Sequence, residues 1–532
     1  MGIPAYYKKL SSTVKGLIAR GHPYAAIQWL FMDFNCLVYH CLPKMPPYQQ
    51  VNHEAWEAEL IDCVVRYTKR VVGLVAPEEG VLIAVDGVVP MAKMRQQRLR
   101  RFKSVWEKAH GVGEKARGMG NSAADHWNSN SITPGTAFMG KLRRGLESVK
   151  GAGWTISSSD EPGEGEHKIM AAWRSGAYDG NFAVYGLDAD LVVLSLLGRE
   201  LRKARGEEGQ IWLFREEISA GTIQYDEAGA ELFEWFSIHA LAEWIHTRPQ
   251  DQSGSSQSTS SRPLRNAIYD YCFAMSVLGN DFLPSSLGMK MRDEGHRILL
   301  ETLDAVPCLV DPATLEPSKE GMSRLFQHLA RIEERHVRGA LLKKKRLSDQ
   351  LKARGTPPRV GDSDWPLITM EEKCILDERG LARDWRRRYA RRFFDGHAPA
   401  RIAREYLYGI QWVWAYYTGG EVCYNWYYPH GLPPLWDWIR RELESGVPAY
   451  PGSIVLRATD IRPVEQLALV LPLESWDLIP LSAKAERDFP RRAPQYFPTT
   501  YGFDSVGKRF FWECEPLIPM PSMRELKRIC AL

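Results

Sequence analysis

Short apolar runs alternate with longer stretches of helical periodicity from residue 25 to about residue 300, and several of the runs end in an acidic residue. This alternation predicts an α/β fold with a mostly parallel sheet. Because the carboxyl ends of parallel strands lie at one edge of a sheet, acids placed there can converge although they are far apart in sequence. The runs AIQWLFMDFN, GVLIAVDG, FAVYGLDAD and CFAMSVLGNDF supply Asp33, Asp86, Asp188 with Asp190, and Asp281, respectively.

A second acidic feature is the stretch SDEPGEGEHKIM at residues 159–170, which lies just before a predicted helix. Glu164 and Glu166 would leave a regular helix on different sides, but Gly163 and Gly165 permit a turn that aims both at one point. Carboxylates a few ångströms apart raise one another's pKa values. A hard divalent cation with oxygen ligands, Mg²⁺ or Mn²⁺, is the natural partner that relieves this repulsion.

These acids together predict a metal site. Any one of them could instead be a helix cap or a surface charge, but five strand-end positions in one α/β unit favour the metal site. Sites made of carboxylates that hold two metal ions stabilise the attacking and leaving oxygens of phosphoryl transfer. The predicted metal-binding and catalytic residues are Asp33, Asp86, Glu164, Glu166, Asp188, Asp190 and Asp281.

A basic segment follows Asp86. Residues 93–117 contain nine Lys or Arg and two Glu. On a helix, Lys93, Gln97, Arg100 and Arg101 would share one face, where guanidinium groups can clamp a phosphate. The alternative is an ordinary solvated helix face, but the position directly after a predicted metal ligand favours a pocket for a terminal phosphate.

The length of 532 residues exceeds what one hydrophobic core supports. We expect a first region at 1–334, a basic and Pro/Gly-rich linker at 335–370, and a second region at 371–532. The polar low-complexity stretch at 250–262 predicts a mobile loop. A net charge of +4 is too small to identify a partner, so local charge has to be considered instead.

The nine scattered cysteines include no C-x-x-C pair, and the N-terminal stretch does not resemble a secretory signal. These features favour a reducing intracellular compartment and argue against structural zinc. The most apolar long run, Tyr406–Gly420, is shorter than a bilayer-spanning helix requires, so we expect no membrane segment. The sequence LLKKKR could be a nuclear localisation signal, but a solvated helix face is favoured.

Several longer motifs resemble the signature blocks of the XRN family of 5′→3′ exoribonucleases. They occur in the order of that family and extend over nearly the whole chain. The resemblance implies a PIN/flap-nuclease-like α/β core in a first conserved region, with a mixed, helix-rich second conserved region packed against it. The blocks are MGIPAYYKKL, DGVVPMAKMRQQRLRRF, ITPGTAFM, DEPGEGEHKIM, YGLDADLVVLSL, GNDFLP, GIQWVWAYYTGG, NWYYPHG, PVEQLALVLP and GKRFFWE.

The resemblance also implies an activity and roles for the residues. It implies hydrolysis of single-stranded RNA, one nucleotide at a time, from a 5′-monophosphate, with the seven acids on two Mg²⁺ or Mn²⁺ ions. Lys93, Gln97, Arg100 and Arg101 would bind the 5′-phosphate. We expect a monomer, with decapping factors as candidate partners and a cytoplasmic location, while a nuclear location and a viral origin stay open.

The sequence departs from the family pattern where bases are expected to stack. After the first catalytic Asp the family commonly has Asn-Gly-Ile-Ile-His, whereas DFNCLVYHC places Tyr39 at the position of that His and His40 one position later. We assign the stacking role to Tyr39 over His40, with a half-buried core aromatic as the alternative for Tyr39. Trp426 is the candidate for the opposite stacking face, and Ser285 replaces a usual His.

Two other functions remain as alternatives. A structure-specific DNA flap or 5′ nuclease would share the metal core, but its relatives usually carry a helix-hairpin-helix motif that we do not find in this sequence. A catalytically inactive RNA-binding scaffold would have lost at least one acid, and all seven are present.

Overall fold

The computed structural model describes residues 5–23, 25–112, 127–219, 221–247, 263–378, 380–446 and 456–531. Within these ranges a seven-stranded sheet carries helices on both faces and is followed by a helix-rich second region. The predicted mobile loop at 250–262 lies outside the described residues.

The central sheet is mostly parallel, as predicted. Its strand order is β1-β9-β6-β5-β2-β3-β4. The pairs β5/β6, β2/β5, β2/β3 and β3/β4 are parallel, whereas β9 runs antiparallel to β6 and to β1. The strands of the first region are β1 (Ile18–Ala19), β2 (Trp29–Asp33), β3 (Gly80–Ala84), β4 (Trp154–Ser157), β5 (Phe182–Tyr185), β6 (Ile211–Glu216), β7 (Ile218–Ser219), β8 (Thr222–Ile223) and β9 (Phe233–Ser237).

Both faces of the sheet are covered, which explains why its strands are apolar at successive positions. Along β2, Leu30 and Met32 point into one core, and Phe31 points into the other. Helices α2, α3 and α5 contribute to the first core, and α6, α7 and α9 contribute to the second. The helices of this region are α1 (Tyr6–Thr13), α2 (Asn35–Cys41), α3 (His53–Val75), α4 (Met91–Ala109), α5 (Ala137–Ser148), α6 (Gly165–Ser175), α7 (Asp190–Ala204), α8 (Ile238–Thr247), α9 (Leu264–Ala274) and α10 (Gly295–Asp304).

A long helix, α11 (Lys319–Ala353), crosses the boundary proposed at residue 334. Leu329, Val337 and Leu341 continue its buried face into the basic stretch, and Lys344 is also buried, where it donates to Glu372 at 2.8 Å. Part of the predicted linker is therefore helical and packed, because its apolar residues keep helical spacing between the basic ones.

The second region is helix-rich and packs against the first, as expected. Its helix α16 joins one hydrophobic cluster with α4, in which Leu467 and Leu469 pack with Met91 and Met94. Among the described residues, no helix has both the length and the apolarity needed to cross a bilayer. The elements are α12 (Trp365–Thr369), β10 (Leu376–Asp377), β11 (Gly380–Leu381), α13 (Trp385–Phe393), α14 (Pro399–Thr418), α15 (Trp436–Ser445), α16 (Pro463–Val470), α17 (Lys484–Arg487), α18 (Phe489–Arg492), β12 (Phe503–Asp504), β13 (Glu515–Pro516) and α19 (Met523–Cys530).

A buried carboxyl joins α11 to α15. The Oε1 atom of Glu333 accepts a hydrogen bond of 2.9 Å from the backbone N–H of Trp436, the first residue of α15. Burial raises the pKa of Glu333 to about 8, although the bond from Trp436 lowers it in part. The folded state therefore holds this proton more tightly than an unfolded chain does.

We predict that Glu333 makes the stability of the protein fall with rising pH. Its stabilising contribution is complete below about pH 4.5 and is lost as the pH rises through about 8. Since one pKa unit corresponds to ~1.4 kcal/mol, Glu333→Gln should raise the free energy of unfolding at pH 8 by ~1–4 kcal/mol. Urea denaturation at pH 5 and at pH 8 measures this change.

The neighbouring Glu334 provides the control. It is exposed and pairs with Arg386 on the surface, so Glu334→Gln should change the stability little at either pH. The same pH dependence in Glu333→Gln as in the parent would contradict the prediction.

Candidate active site

Three adjacent parallel strands bring acids to one edge of the sheet. Asp33 is the last residue of β2, Asp86 lies two residues beyond β3, and Asp188 lies three residues beyond β5. β2 lies between β3 and β5, so the three chain segments leave the sheet side by side.

The acidic turn reaches the same edge because its glycines allow close backbone contact. Gly163 has a φ of +106°, a conformation that favours glycine, and it exchanges backbone hydrogen bonds of 2.7 and 2.8 Å with Val88 and Gly87. A Cβ atom at Gly165 would lie 2.5 Å from Oδ1 of Asp33 and 2.7 Å from the carbonyl oxygen of Ala84. The turn therefore fits against the strand ends only with glycine at position 165.

Two helices begin among the acids. Glu164 is the N-cap of α6, Glu166 lies in its first turn, and Asp190 is the first residue of α7. The N-terminus of a helix carries a partial positive charge, which favours carboxylates at these positions.

The carboxylates are buried and crowd one another. Burial raises the pKa values of Asp33 and Glu166 well above their ordinary range, and neighbouring carboxylates raise them further. The pKa of Asp190 rises to about 7, mainly through burial and also through Asp188 and Asp281. Neither oxygen of Glu166 and neither oxygen of Asp190 accepts a hydrogen bond. Buried polar atoms without partners are rare in folded proteins, so these oxygens indicate a place for a bound cation.

Two sets of side chains could each hold a metal ion. Asp33, Glu166 and Asp188 form one set, and Glu164, Glu166 and His167 form the other. Within each set the potential ligand atoms lie within 4.8 Å of one another. Oxygen-rich sets of this kind suit Mg²⁺ and Mn²⁺, and Glu166 belongs to both.

Lys93 supplies a positive charge inside the cluster. Its Nζ atom lies 2.5 Å from Oε2 of Glu164 and 2.9 Å from Oδ2 of Asp281. Burial by itself would lower the pKa of Lys93, but Asp281 and Glu164 raise it to well above its ordinary value. The ammonium group is therefore charged, and it places Asp281 beside the other acids.

The other three predicted phosphate ligands follow Lys93 along α4. Oε1 of Gln97 accepts a hydrogen bond of 3.3 Å from Gln466 of the second region. Arg100 is exposed. Arg101 donates from Nη2 to Thr133 at 2.8 Å, while its buried Nη1 has no acceptor. Burial lowers the pKa of Arg101 to about 10, and the nearby Tyr39 hydroxyl opposes this change.

The two residues considered for base stacking have different surroundings. Tyr39 is 47% exposed, so it is not a core aromatic. His40 is buried, packs its ring against Tyr67 with 4.5 Å between centroids, and has its Nε2 atom 3.0 Å from Oε1 of Glu231. Only the Tyr39 ring is open to solvent.

Trp426 belongs to an aromatic cluster that leads to the acids. It is partly buried and packs against Trp412, which stacks on Tyr416 with 5.0 Å between centroids. Tyr416 stacks on His167 at 3.7 Å, and its hydroxyl donates to Oε1 of Glu164 at 2.8 Å. The second region thus contributes directly to the geometry of the site.

Sequence reasoning missed three residues of this site. The Nδ2 atom of Asn35 donates to Asp86 at 3.0 Å and, with the backbone N–H of Gly165 at 2.7 Å, fixes that carboxylate. Asn35 lies two residues after Asp33 at the start of α2, and a polar residue at this position indicates a partner for the neighbouring acids. Tyr416 and His167 gave no such signal, because their contact joins segments about 250 positions apart.

Two regions of the chain match known protein families. The family described as "XRN 5'-3' exonuclease N-terminus" matches residues 1–204, and the one described as "Xrn1 helical domain" matches residues 370–529. The first match includes six of the seven predicted acids, all except Asp281, and the second includes the aromatic helix α14.

Curated relatives align over most of the chain. A 5'-3' exoribonuclease 2 of Candida albicans is 24% identical over 99% of this chain and 72% of its own length. A 5'-3' exoribonuclease 1 of Homo sapiens is 25% identical over 99% of this chain and 34% of its own length. The 5'-3' exoribonuclease 2 of Saccharomyces cerevisiae is 29% identical over 71% of this chain and 43% of its own length. The acidic site, the two family matches and these alignments agree, and the chain belongs to the XRN family of 5′→3′ exoribonucleases.

Proposed function

We propose that this chain is a 5′→3′ exoribonuclease that processively hydrolyses single-stranded RNA from a 5′-monophosphate and releases nucleoside 5′-monophosphates. The observation that carries the proposal is the cluster of buried carboxylates with unpartnered oxygens, which lies at the start of a basic helix. An acidic cluster holds metal ions, and a basic helix face binds the phosphate that the ions act on.

The proposed metal centre holds two Mg²⁺ or Mn²⁺ ions. Glu166 is shared by both candidate ligand sets, which suits a carboxylate lying between two ions. The remaining predicted acids, Asp86, Asp190 and Asp281, border these sets. Bound ions would supply a nucleophilic water and stabilise the negative charge that develops on the phosphate.

The proposed phosphate pocket uses donors that the fold leaves free. Arg101 has a buried Nη1 without an acceptor. The bond from Gln466 occupies the Gln97 oxygen, so the amide NH₂ group of Gln97 is free to donate. Lys93 contacts the acids and precedes these donors on the same helix, so we propose that it neutralises carboxylate and phosphate together. Arg100 is exposed and can close over a 5′-phosphate from the solvent side.

The proposed path of the bases starts at Tyr39. Its exposed ring lies close enough to Arg101 for the two side chains to interact electrostatically. A base stacked on an aromatic ring contributes ~1–3 kcal/mol, and every base has a face that can stack. Trp426 is proposed as the opposite platform. Stacking of this kind holds a shortened strand with little sequence preference.

The chemistry of the substrate suggests the cellular context. RNA with a 5′-monophosphate is what remains when a cap is removed, so decapping factors are proposed partners. A cytoplasmic location and a monomeric state are likewise proposed.

The first prediction concerns the metal. Glu166→Gln removes the carboxylate common to both ligand sets, and we expect RNA hydrolysis to fall by at least ~100-fold. Chelation by EDTA should abolish the activity of the parent, and Mg²⁺ or Mn²⁺ should restore it. Thermal denaturation should show that either ion raises the melting temperature of the parent but not that of Glu166→Gln.

The matched control is Glu161→Gln, because Glu161 lies in the same turn but is exposed and accepts a hydrogen bond from Ser157. This variant should keep the activity and the metal response of the parent. Full activity of the parent in excess EDTA would refute the metal-dependent mechanism.

The second prediction concerns the 5′ end. Arg100→Ala should lower kcat/KM on 5′-phosphorylated RNA by ~10-fold or more, because a charge-assisted hydrogen bond to phosphate is lost. The loss on 5′-hydroxyl RNA should be much smaller. Lys108→Ala removes an exposed charge near the end of the same helix and should affect neither substrate. Equal losses on both substrates for Arg100→Ala would assign this helix to general backbone binding.

The third prediction concerns stacking. Tyr39→Ala should shorten the run length on a long hairpin-containing RNA, while release of the first nucleotide from a short RNA is affected less. Tyr39→His keeps an aromatic ring and should restore much of the run length. Tyr225→Ala, at another exposed tyrosine, is the control. Unchanged run length in Tyr39→Ala would remove Tyr39 from the proposed path.

A further inference from the structure

An exposed aromatic pair lies in the second region, far along the chain from the acids. The rings of Phe510 and Trp512 stack with 4.2 Å between centroids and an angle of 10°. Trp512 is 60% exposed, and Phe510 is its only ring partner among the described residues. One face of the Trp512 ring is therefore available to a further planar group. We call Arg292, Arg509, Phe510 and Trp512 the Trp512 patch.

The Trp512 patch is positively charged. The guanidinium groups of Arg292 and Arg509 lie 4.9 and 5.0 Å from the centroid of the Phe510 ring. Glu513 contacts these residues, and its two oxygens accept from Arg292 and from the backbone N–H groups of Arg509 and Phe510. Arg509 has no ion pair in the part of the chain that the structure describes. Because Glu513 balances Arg292, the side chain of Arg509 leaves a net positive charge beside the Phe510 ring.

Two segments that carry site residues also support the Trp512 patch. Helix α4 begins near Lys93, and Lys103 of the same helix donates to the carbonyl oxygens of Phe511 and Cys514 at 2.6 and 2.9 Å. At 1.5 Å per residue, Lys103 lies ~15 Å along the helix axis from Lys93. The segment that follows Asp281 supplies Arg292, which pairs with Glu513 at 2.5 Å. The patch therefore contacts two chain segments that also carry site residues.

We propose that the Trp512 patch is a second contact surface for single-stranded RNA, which engages bases and phosphates beyond those held at the acids. This inference rests on the proposed function and extends it to the length of RNA that the enzyme grips. An exposed aromatic face beside a basic side chain that has no ion pair is the combination by which proteins hold single-stranded nucleic acid without sequence preference. The positive charge favours RNA over an apolar protein partner as the occupant.

The test compares binding of a long and a short RNA. Fluorescence anisotropy would measure the affinities of 5′-phosphorylated oligouridylates of 30 and 5 nucleotides in the Glu166→Gln background without divalent ions, so that RNA is not digested. Trp512→Ala should weaken binding of the long RNA by about 5- to 150-fold, the loss expected for one stacked base. It should thereby reduce the preference for the long RNA over the short one, and Trp512→Phe should retain most of that preference.

Two further variants make the result specific. Leu517→Ala removes an exposed apolar side chain from the same C-terminal segment and should bind both RNAs as the parent does. Arg509→Gln should weaken binding of the long RNA and reduce its dependence on salt, because one phosphate contact is lost. If circular dichroism shows that Trp512→Ala is poorly folded, Arg509→Gln still tests the surface independently.

The proposal is overturned if Trp512→Ala and Arg509→Gln keep the parent's preference for the long RNA. It is also overturned if Trp512→Ala weakens the binding of the long RNA and of the short RNA by the same factor. In either case, if the chain without any substitution digests 5′-phosphorylated RNA, the proposed function stays intact. Failure of that chain to digest such RNA would instead refute the proposed function itself.

Discussion

Mutual repulsion among buried carboxylates is the constraint around which the site is built. Two unit charges 4 Å apart interact by ~4 kcal/mol at the effective dielectric of a protein, so a cluster of acids is unstable without compensation. Lys93 supplies one buried positive charge to the cluster. Asp86 is fixed by donors from Asn35 and Gly165, and Glu164 by the Tyr416 hydroxyl. The oxygens that no donor reaches are those that a metal ion would satisfy.

The second region completes this arrangement instead of forming a separate module. Tyr416 of α14 reaches the acids from one side, and Gln466 of α16 contacts both Gln97 and the backbone of Val89 from another. Helix α4 has two working faces. Its polar face contacts the acids through Lys93, and its apolar face packs against α16 of the second region. The long helix α11, which extends into the first half of the predicted linker, further joins the two regions.

Helix α2 shows how neighbouring residues acquire different roles. Successive residues of a helix differ by about 100° in direction, so Tyr39 and His40 cannot point into the same space. The helix buries His40 against Glu231 and Tyr67. Tyr39 consequently faces solvent on the side of Arg101. The core contact of one residue thus orients the exposed ring of the next.

The sequence by itself determined the mostly parallel sheet, the acids that end its strands, the glycine turn and the basic helix, because each depends on local periodicity or on one residue's conformational freedom. Helix α11 extends into the proposed linker, because apolar residues keep helical spacing within that basic stretch. Only the tertiary structure decided that Lys93 lies among the acids, that Tyr416 reaches Glu164 and that His40 is buried. Those outcomes depend on packing between segments far apart in the chain, and no local pattern encodes which side chains meet there.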